Sequence, residues 1–392
     1  MSVEPQTAPT TAQPQIAATT AAQADDAAPP VPPPAHDTRR IDRFLELMVE
    51  RGASDLHMSV GRPPMFRASG SMEPIRFRTL EASDFESMIR PMTPAEQWAD
   101  FEKTGDVDFA YQLRDSGRFR VNLFRQRRGP GAVFRIIPTK ILSVEELALP
   151  PQLSRLAKLE DGLALVTGPT GSGKSTTLAA LIDLINRTRK LHILTIEDPI
   201  EFVHPNKRSL IHQRESGAHT PSFAAALKAA VREDPDIILV GEMRDRETIS
   251  LALEAAEKGV LVFGTLHTNN AAKTVDRIVN VFPSGEQESV RQVLGDTVRA
   301  IVAQQLVPKA EGGRVAALEI LFGSHQAGAM IRENKTAQLN SYIQTNRNQG
   351  MVTMDQSLAD LFEKGLITAE AALDKAIDKV YIRKATGLAA DG

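Results

Sequence analysis

Apolar side chains recur along this chain with two periods, and the switches between them mark its elements. Ile41, Phe44, Leu45 and Met48 fall at helical spacing, and Gly52 follows where a helix would end in the left-handed region. Short strand-like runs come next, broken by Gly61, Pro63-Pro64 and Gly70. Residues 119–124 and 132–137 alternate as half-buried strands do. From residue 163 the pattern changes. The runs 163–166, 193–196, 237–240 and 260–263 are short and continuously apolar, and helical patterns lie between such runs, as in a parallel sheet covered on both faces. Leu178, Leu181, Ile182 and Ile185 predict a helix directly after the first of them. Near the end, Thr353 and Gln356 can form a capping box, Leu358, Leu361 and Phe362 make an apolar stripe, and Gly365 stops that helix. Leu373, Ala376, Ile377 and Val380 predict one last helix, its stripe turned to an intramolecular core.

This order predicts an α/β protein: a small α+β domain over 39–140, a linker over 141–156 through Pro150-Pro151, and an α/β domain over 157–325. A helical region over 326–384 and a short tail over 385–392 complete it. Residues 1–38 contain Ala, Pro, Thr and Gln in low-complexity order and close in Pro29-Pro30-Val31-Pro32-Pro33-Pro34. Such a segment cannot bury enough surface to offset its ordering entropy, so it reads as a disordered tail, with a Pro-rich docking motif as the lesser reading.

Composition narrows the function classes. The chain has 392 residues and a net charge of −3, so nothing global points to nucleic acid or an anionic membrane. It has no cysteine, which excludes disulfides, Cys-based zinc modules and thiol catalysis. No apolar run approaches the ~18 residues of a membrane span. The N-terminus shows neither the basic start nor the apolar core of a signal peptide, and the expected location is cytoplasmic.

The candidate chemistry centres on Gly168-Pro169-Thr170-Gly171-Ser172-Gly173-Lys174-Ser175, which fits the G-x-x-x-x-G-K-[ST] phosphate-binding loop. A strand enters it and a helix leaves it, as that chemistry requires. Glycines let successive N–H groups turn toward a phosphate, and the helix adds the positive end of its dipole. Lys174 would reach the β- and γ-phosphates, and the Ser175 hydroxyl would ligate Mg²⁺. Three further apolar strands end in polar residues. These are Glu197-Asp198-Pro199-Ile200-Glu201, Gly241-Glu242 and His267, at the strand ends where α/β sheets bind ligands. Gly241 stands where many P-loop enzymes carry a Mg²⁺-linked Asp, which leaves Glu242 as a candidate base.

Arginines crowd the small domain at 118, 120, 125, 127, 128 and 135. Three readings stay open: a solvated basic face, a nucleic-acid groove, or guanidinium groups offered to a neighbouring subunit's nucleotide. Phe119, Phe124 and Phe134 fall at core positions, which weakens the second.

Residues 168–176, Ile196-Glu197-Asp198-Pro199-Ile200-Glu201, Val240-Gly241-Glu242-Met243-Arg244-Asp245 and Gly264-Thr265-Leu266-His267-Thr268 resemble the Walker A, Asp, Walker B and His boxes of secretion ATPases. Within that superfamily the chain is most similar to the type IV pilus retraction ATPases, the PilT family. The likeness spans about residues 40–384 and includes Ala53-Ser54-Asp55-Leu56-His57 and Gly117-Arg118-Phe119-Arg120-Val121-Asn122; Ala329-Met330-Ile331-Arg332-Glu333-Asn334 matches that family's C-terminal signature in part. The resemblance implies a PAS-like N-terminal domain joined by a flexible linker to a RecA-like ATPase domain, and a homohexamer. It implies ATP and Mg²⁺, with Gly168, Pro169, Thr170, Gly171, Ser172, Gly173, Lys174, Ser175 and Thr176 around the phosphates. Glu201 and Glu242 would polarise the attacking water, His267 would sense the γ-phosphate, and Arg120 and Arg135 would reach the nucleotide from the N-terminal domain. The implied partners are an inner-membrane platform protein, which would place the motor peripherally at that membrane, and a paralogous retraction ATPase, with no nucleic acid. Rival readings are a pilus-assembly or type II secretion motor, a ring helicase or DNA-translocating ATPase, and a non-catalytic ring component.

Overall fold

The computed structural model describes residues 39–68, 71–113, 117–137 and 140–388. The expected Ala/Pro-rich tail and residues 389–392 of the expected C-terminal tail lie outside the described residues.

Helix Arg39–Glu50 buries Ile41, Leu45 and Met48 fully, and Gly52 follows it at φ +63°. The chain then forms a six-stranded antiparallel sheet from β1 (Asp55–Ser59), β2 (Met65–Ala68), β3 (Ser71–Pro74), β4 (Asp106–Leu113), β5 (Gly117–Gln126) and β6 (Gly129–Ile137). Their order is β3-β2-β1-β6-β5-β4. Period-2 alternation puts Phe119, Val121 and Leu123 of β5 and Phe134 of β6 into one core with that helix. The intervening positions, Arg118, Arg120 and Arg135, therefore lie on the opposite face. The β5–β6 register sets Arg120 directly across from Arg135.

The larger unit carries β7 (Gly162–Thr167), β8 (His192–Glu197), β9 (Leu210–Glu215), β10 (Ile237–Val240), β11 (Leu261–Leu266), β12 (Val298–Pro308) and β13 (Arg314–Phe322). They line up as β13-β12-β7-β11-β10-β8-β9. Every pairing is parallel except β12–β13, so the expected parallel sheet gains an antiparallel edge hairpin. All residues of β7, β10 and β11 are buried, which requires cover on both faces and explains their unbroken apolar runs. Helix Lys174–Thr188 buries Leu178, Leu181, Ile182 and Ile185 into this core.

The C-terminal helices pack on the far end of the β12–β13 hairpin, where Val307, Val315 and Ala317 meet Met354, Leu358, Ile367, Ala372 and Ile382. The Thr353–Gln356 capping box forms and starts helix Met354–Glu363. The single last helix does not form. Helix Ala369–Lys375 ends at Ala376, in extended backbone, and a new helix runs Lys379–Thr386. Local hydrogen bonds override the apolar spacing there. Asp355 accepts the N–H groups of Ile377 and Asp378 at 2.8 and 3.0 Å, and Asp378 caps the new helix through Tyr381 N–H. Ile377 and Val380 are left exposed.

Glu319 of β13 ties the two parts together. Its buried carboxyl accepts the N–H of Ala271 at 2.7 Å, and that of Met354, so it holds the first residue of two helices. Burial pushes it up to about 7, against an ordinary 4.5, and the two N–H groups offset only part of that. The folded chain thus keeps a proton that the unfolded chain has lost above pH 4.5. This contribution to stability is full below that pH and is lost as pH rises through about 7, on the order of 3 kcal/mol. Glu319→Gln stays neutral throughout. Urea unfolding of both chains at pH 5 and 8 should show the wild type losing stability relative to the variant at the higher pH, and parallel curves would refute it.

Candidate active site

The boxes read from the sequence converge on one cleft of about 560 Å³. Its floor is the loop between β7 and helix Lys174–Thr188. Gly168, Gly171 and Gly173 adopt φ of +145°, +78° and +86°, which side chains rarely tolerate. A Cβ on Gly168 would stand 2.2 Å from the Gln304 carbonyl oxygen, so only glycine lets the loop pass β12. No side chain caps the helix that follows, and its first N–H groups have no intrahelical acceptor. They form the positive end of a 15-residue helix aimed at the cleft.

Thr170, Gly171, Gly173, Lys174, Ser175 and Thr176 line the cleft; Gly168, Pro169 and Ser172 do not, Gly168 and Ser172 being buried and Pro169 exposed. The Lys174 ammonium donates to the carbonyls of Gly168 and Pro169 at 2.9 and 3.2 Å. Burial pushes its pKa below the ordinary lysine value, against the pull of Glu242 and Glu201. That opposition places both carboxylates within electrostatic reach of the lysine. The Ser172 hydroxyl is buried with no protein partner, so this loop holds polar capacity that the fold itself does not use. Among the described residues no group of three or more His, Asp or Glu is arranged to hold a metal ion. The Ser175 hydroxyl, beside Lys174 in the cleft lining, is a hard oxygen donor of the kind Mg²⁺ takes when phosphates supply most of its ligands.

Glu201, Glu242 and His267 line the same cleft. Glu242 contacts Arg244 at 2.6 Å and His267 Nε2 at 3.1 Å. Burial raises its carboxyl, but those two partners outweigh it and hold the group below the ordinary glutamate value. It is an ionised acceptor at neutral pH. Glu197 behaves in the opposite way. Burial lifts it, while it accepts from Thr195 Oγ1 at 2.6 Å, Gln213 Nε2 at 3.1 Å and the Glu201 N–H at 3.3 Å. Its work is to brace the turn that carries Glu201.

The two arginines part company. Arg120 lines the cleft and lies 3.5 Å from Asp108. Arg135 is outside the cleft lining of its own chain, and its Nε donates to Asp55 Oδ1 at 2.7 Å.

Sequence reasoning passed over two cleft residues and one that braces the loop from behind. Arg244 lies inside the Walker B-like box, where the sequence pattern gives it no role. His204 is buried, and burial takes its pKa down to about 4, so it faces the cleft as a neutral ring. Gln304 matters most to the loop. It is 2% exposed, donates to the Ser172 carbonyl at 2.7 Å and accepts from Thr177 Oγ1 at 2.8 Å. Its signal was a Gln-Gln pair inside the apolar run 300–307.

A family profile described as "Type II/IV secretion system protein" matches residues 35–312. The chain is 52% identical over 336 residues to the "Type IV pilus retractation ATPase PilT" of Pseudomonas aeruginosa, covering 86% of this chain and 98% of that one. It is 54% identical over 314 residues to a "Twitching motility protein" of Neisseria gonorrhoeae, covering 80% and 84%. The solved structure "Crystal Structure of the Pilus Retraction Motor PilT and Bound ADP" superposes with a TM-score of 0.83 at 45% identity, over 88% of this chain and 99% of that one.

Truncating Gln304 tests the bracing of the loop. Gln304→Ala leaves the Ser172 carbonyl and the Thr177 hydroxyl without their buried partner, at a cost of about 1–3 kcal/mol. The expected outcome is a lower unfolding midpoint together with nucleotide binding weakened about tenfold or more, read by calorimetric titration with ADP. Unaltered ADP affinity would mean that the loop holds its shape without Gln304.

Proposed function

This chain belongs to the type II/IV secretion system protein family, and from that premise we propose that it is an ATPase motor powering type IV pilus retraction. The observation that carries the reading is a single cleft in which Lys174, Glu201, Glu242, His267 and Arg120 meet over a glycine-formed phosphate loop.

The reaction is displacement at the γ-phosphorus by water, with ADP as the leaving group. Loop N–H groups and Lys174 hold the β- and γ-phosphates and stabilise the charge that builds on them. Glu242, kept ionised, takes the proton of the attacking water while Glu201 orients it. His267, in contact with Glu242, reports whether the γ-phosphate is present. Mg²⁺ bound with the nucleotide would neutralise phosphate charge, and Ser175 would be its side-chain ligand. Arg120 and Arg135 stand on adjacent strands of the N-terminal unit. Arg120 supplies its guanidinium in the cleft of its own chain, and Arg135 reaches a neighbouring subunit's nucleotide when subunits of a homohexamer close on one another, leaving Asp55 to do so. Hydrolysis then alters the angle between the two units and drives pilin withdrawal through an inner-membrane platform protein. The motor sits in the cytoplasm at the inner membrane, held there by that partner. No helix among the described residues is long and apolar enough to cross a membrane. A paralogous retraction ATPase is a further partner on this reading; a "Type IV pilus ATPase PilU" of Pseudomonas aeruginosa is 41% identical to this chain over 333 residues, covering 85% of this chain and 87% of that one.

Lys174→Ala should abolish turnover in a folded ring. Glu201→Gln and Glu242→Gln should each lower kcat about 10²-fold or more with nucleotide binding kept. Loss of affinity with normal turnover per bound ATP would assign the carboxylates to binding. In cells, deletion should leave long, unretracted pili, whereas bald cells would point to assembly.

Mixing variants tests the shared site. Arginine fingers are worth about 10³ to 10⁵ in rate, so Arg135→Ala should be nearly silent while still binding ATP. Adding inactive Lys174→Ala subunits should restore part of the turnover, because some mixed interfaces then hold one intact loop and one intact arginine. Mixed rings with no gain in activity would refute it.

A further inference from the structure

The cleft draws Arg120 from the small unit and Glu201 from the large one, and a close chain neighbour of each, Arg118 and Ile200, bonds one carboxylate that belongs to neither box. Arg118 stands two positions before Arg120 on β5 and so shares its sheet face. Its Nη2 donates to Glu215 Oε2 at 3.2 Å, across the boundary between the units. Glu215 is the last residue of β9. The side chains are 20% and 7% exposed, and Arg118 Nε is buried with no partner, so Glu215 is what answers this guanidinium. The same Oε2 accepts the Ile200 N–H at 3.0 Å, one residue before Glu201. Glu215 is itself fixed. Its N–H donates to His219 Nδ1 at 2.9 Å and its carbonyl accepts the His219 N–H at 2.8 Å.

We infer that Glu215 is a positioning residue for hydrolysis, a latch whose single carboxylate oxygen sets Arg120 and Glu201 relative to each other. A strand that carries Arg118 outward carries Arg120 with it. The Ile200–Glu201 turn loses a shared support in the same movement. Opening the units therefore disperses the catalytic groups from two sides at once, and closing them reassembles both. A buried pair is costly to break by halves, because the remaining charge is left uncompensated, so this contact favours two discrete arrangements over a continuum.

The inference rests on the reading that Arg120 and Glu201 serve hydrolysis, and the experiment separates the two. Steady-state ATPase is measured on the full chain for Glu215→Gln, Arg118→Ala, Arg118→Lys and the Glu215→Gln/Arg118→Ala pair, beside Arg120→Ala and Glu201→Gln. Glu215→Gln keeps volume and an acceptor for Ile200 but drops the charge that Arg118 needs. Displacement of catalytic groups by about an ångström costs up to about 10²-fold in rate. Glu215→Gln and Arg118→Ala should therefore each lower kcat about 10-fold to 10²-fold, with the KM for ATP within about threefold. Arg118→Lys should recover part of the loss, and the double variant should be no slower than the worse single one. Should Glu215→Gln fail to fold, the Arg118 series carries the same test. A normal kcat with a lowered melting temperature, or losses that multiply in the double variant, would overturn the latch. If Arg120→Ala and Glu201→Gln also turn over normally, the catalytic reading itself fails.

Discussion

A phosphate-binding loop turns its N–H groups outward, so its carbonyls and its shape must be held from behind. In this chain β12 does that holding. Gln304 grips the Ser172 carbonyl and the Thr177 hydroxyl, and its own backbone passes so near Gly168 that a Cβ there would overlap it. The conformation is over-determined from both sides: glycine dihedrals permit it and a buried amide enforces it. Everything else in the cleft depends on this, because Lys174 projects from the first turn of the helix that the loop launches. A loop free to relax would move the lysine, the helix dipole and the Ser175 hydroxyl together.

The remaining groups divide by what their surroundings do to their charge. Glu197 is buried and pushed toward its neutral form, and it is spent on hydrogen bonds to Thr195, Gln213 and the Glu201 backbone. Glu242 is kept ionised by Arg244 and His267. Two carboxylates at the ends of adjacent strands are thus driven apart in pKa, one to support and one to accept. The sheet order makes the division work. β8 and β10 are neighbours and β7 lies beyond β11, so the phosphate loop, His267, Glu242 and the Glu201 turn follow one another along a single sheet edge.

Much of this was legible in the sequence because its signals are local. The loop is a contiguous motif, parallel strands declare themselves by apolar runs, and the Thr353–Gln356 box needs only four residues. The unseen parts are contacts between distant segments. Gln304 lies 132 positions from Ser172 and Glu215 lies 97 from Arg118, so neither partnership has a local pattern. The β12–β13 edge was not read at all: its strands lie beyond the last apolar run taken as a strand, and polar residues such as Gln304, Gln305 and Glu319 interrupt them. The mistaken last helix shows the reverse limit. Its apolar spacing was real, yet Asp355, more than twenty positions earlier, supplied acceptors that made the break at Ile377 and Asp378 the better state.

Those distant contacts are also where chemistry can become movement. A site assembled from one rigid unit could hydrolyse ATP without moving anything. Here Arg120 comes from the antiparallel sheet and the phosphate loop from the parallel one, and an ion pair bridges them beside the Glu201 turn. Glu319 makes a similar link at the other end of the large unit. It joins the N-terminus of helix Ala271–Asn280, which follows the His267 segment, to the C-terminal helices. The small unit and the C-terminal helices are thus each joined to the large unit through one buried carboxylate, Glu215 and Glu319. Such joints are directional, short-ranged and costly to leave half made, so each favours one docked arrangement of its region over a continuum of loose ones.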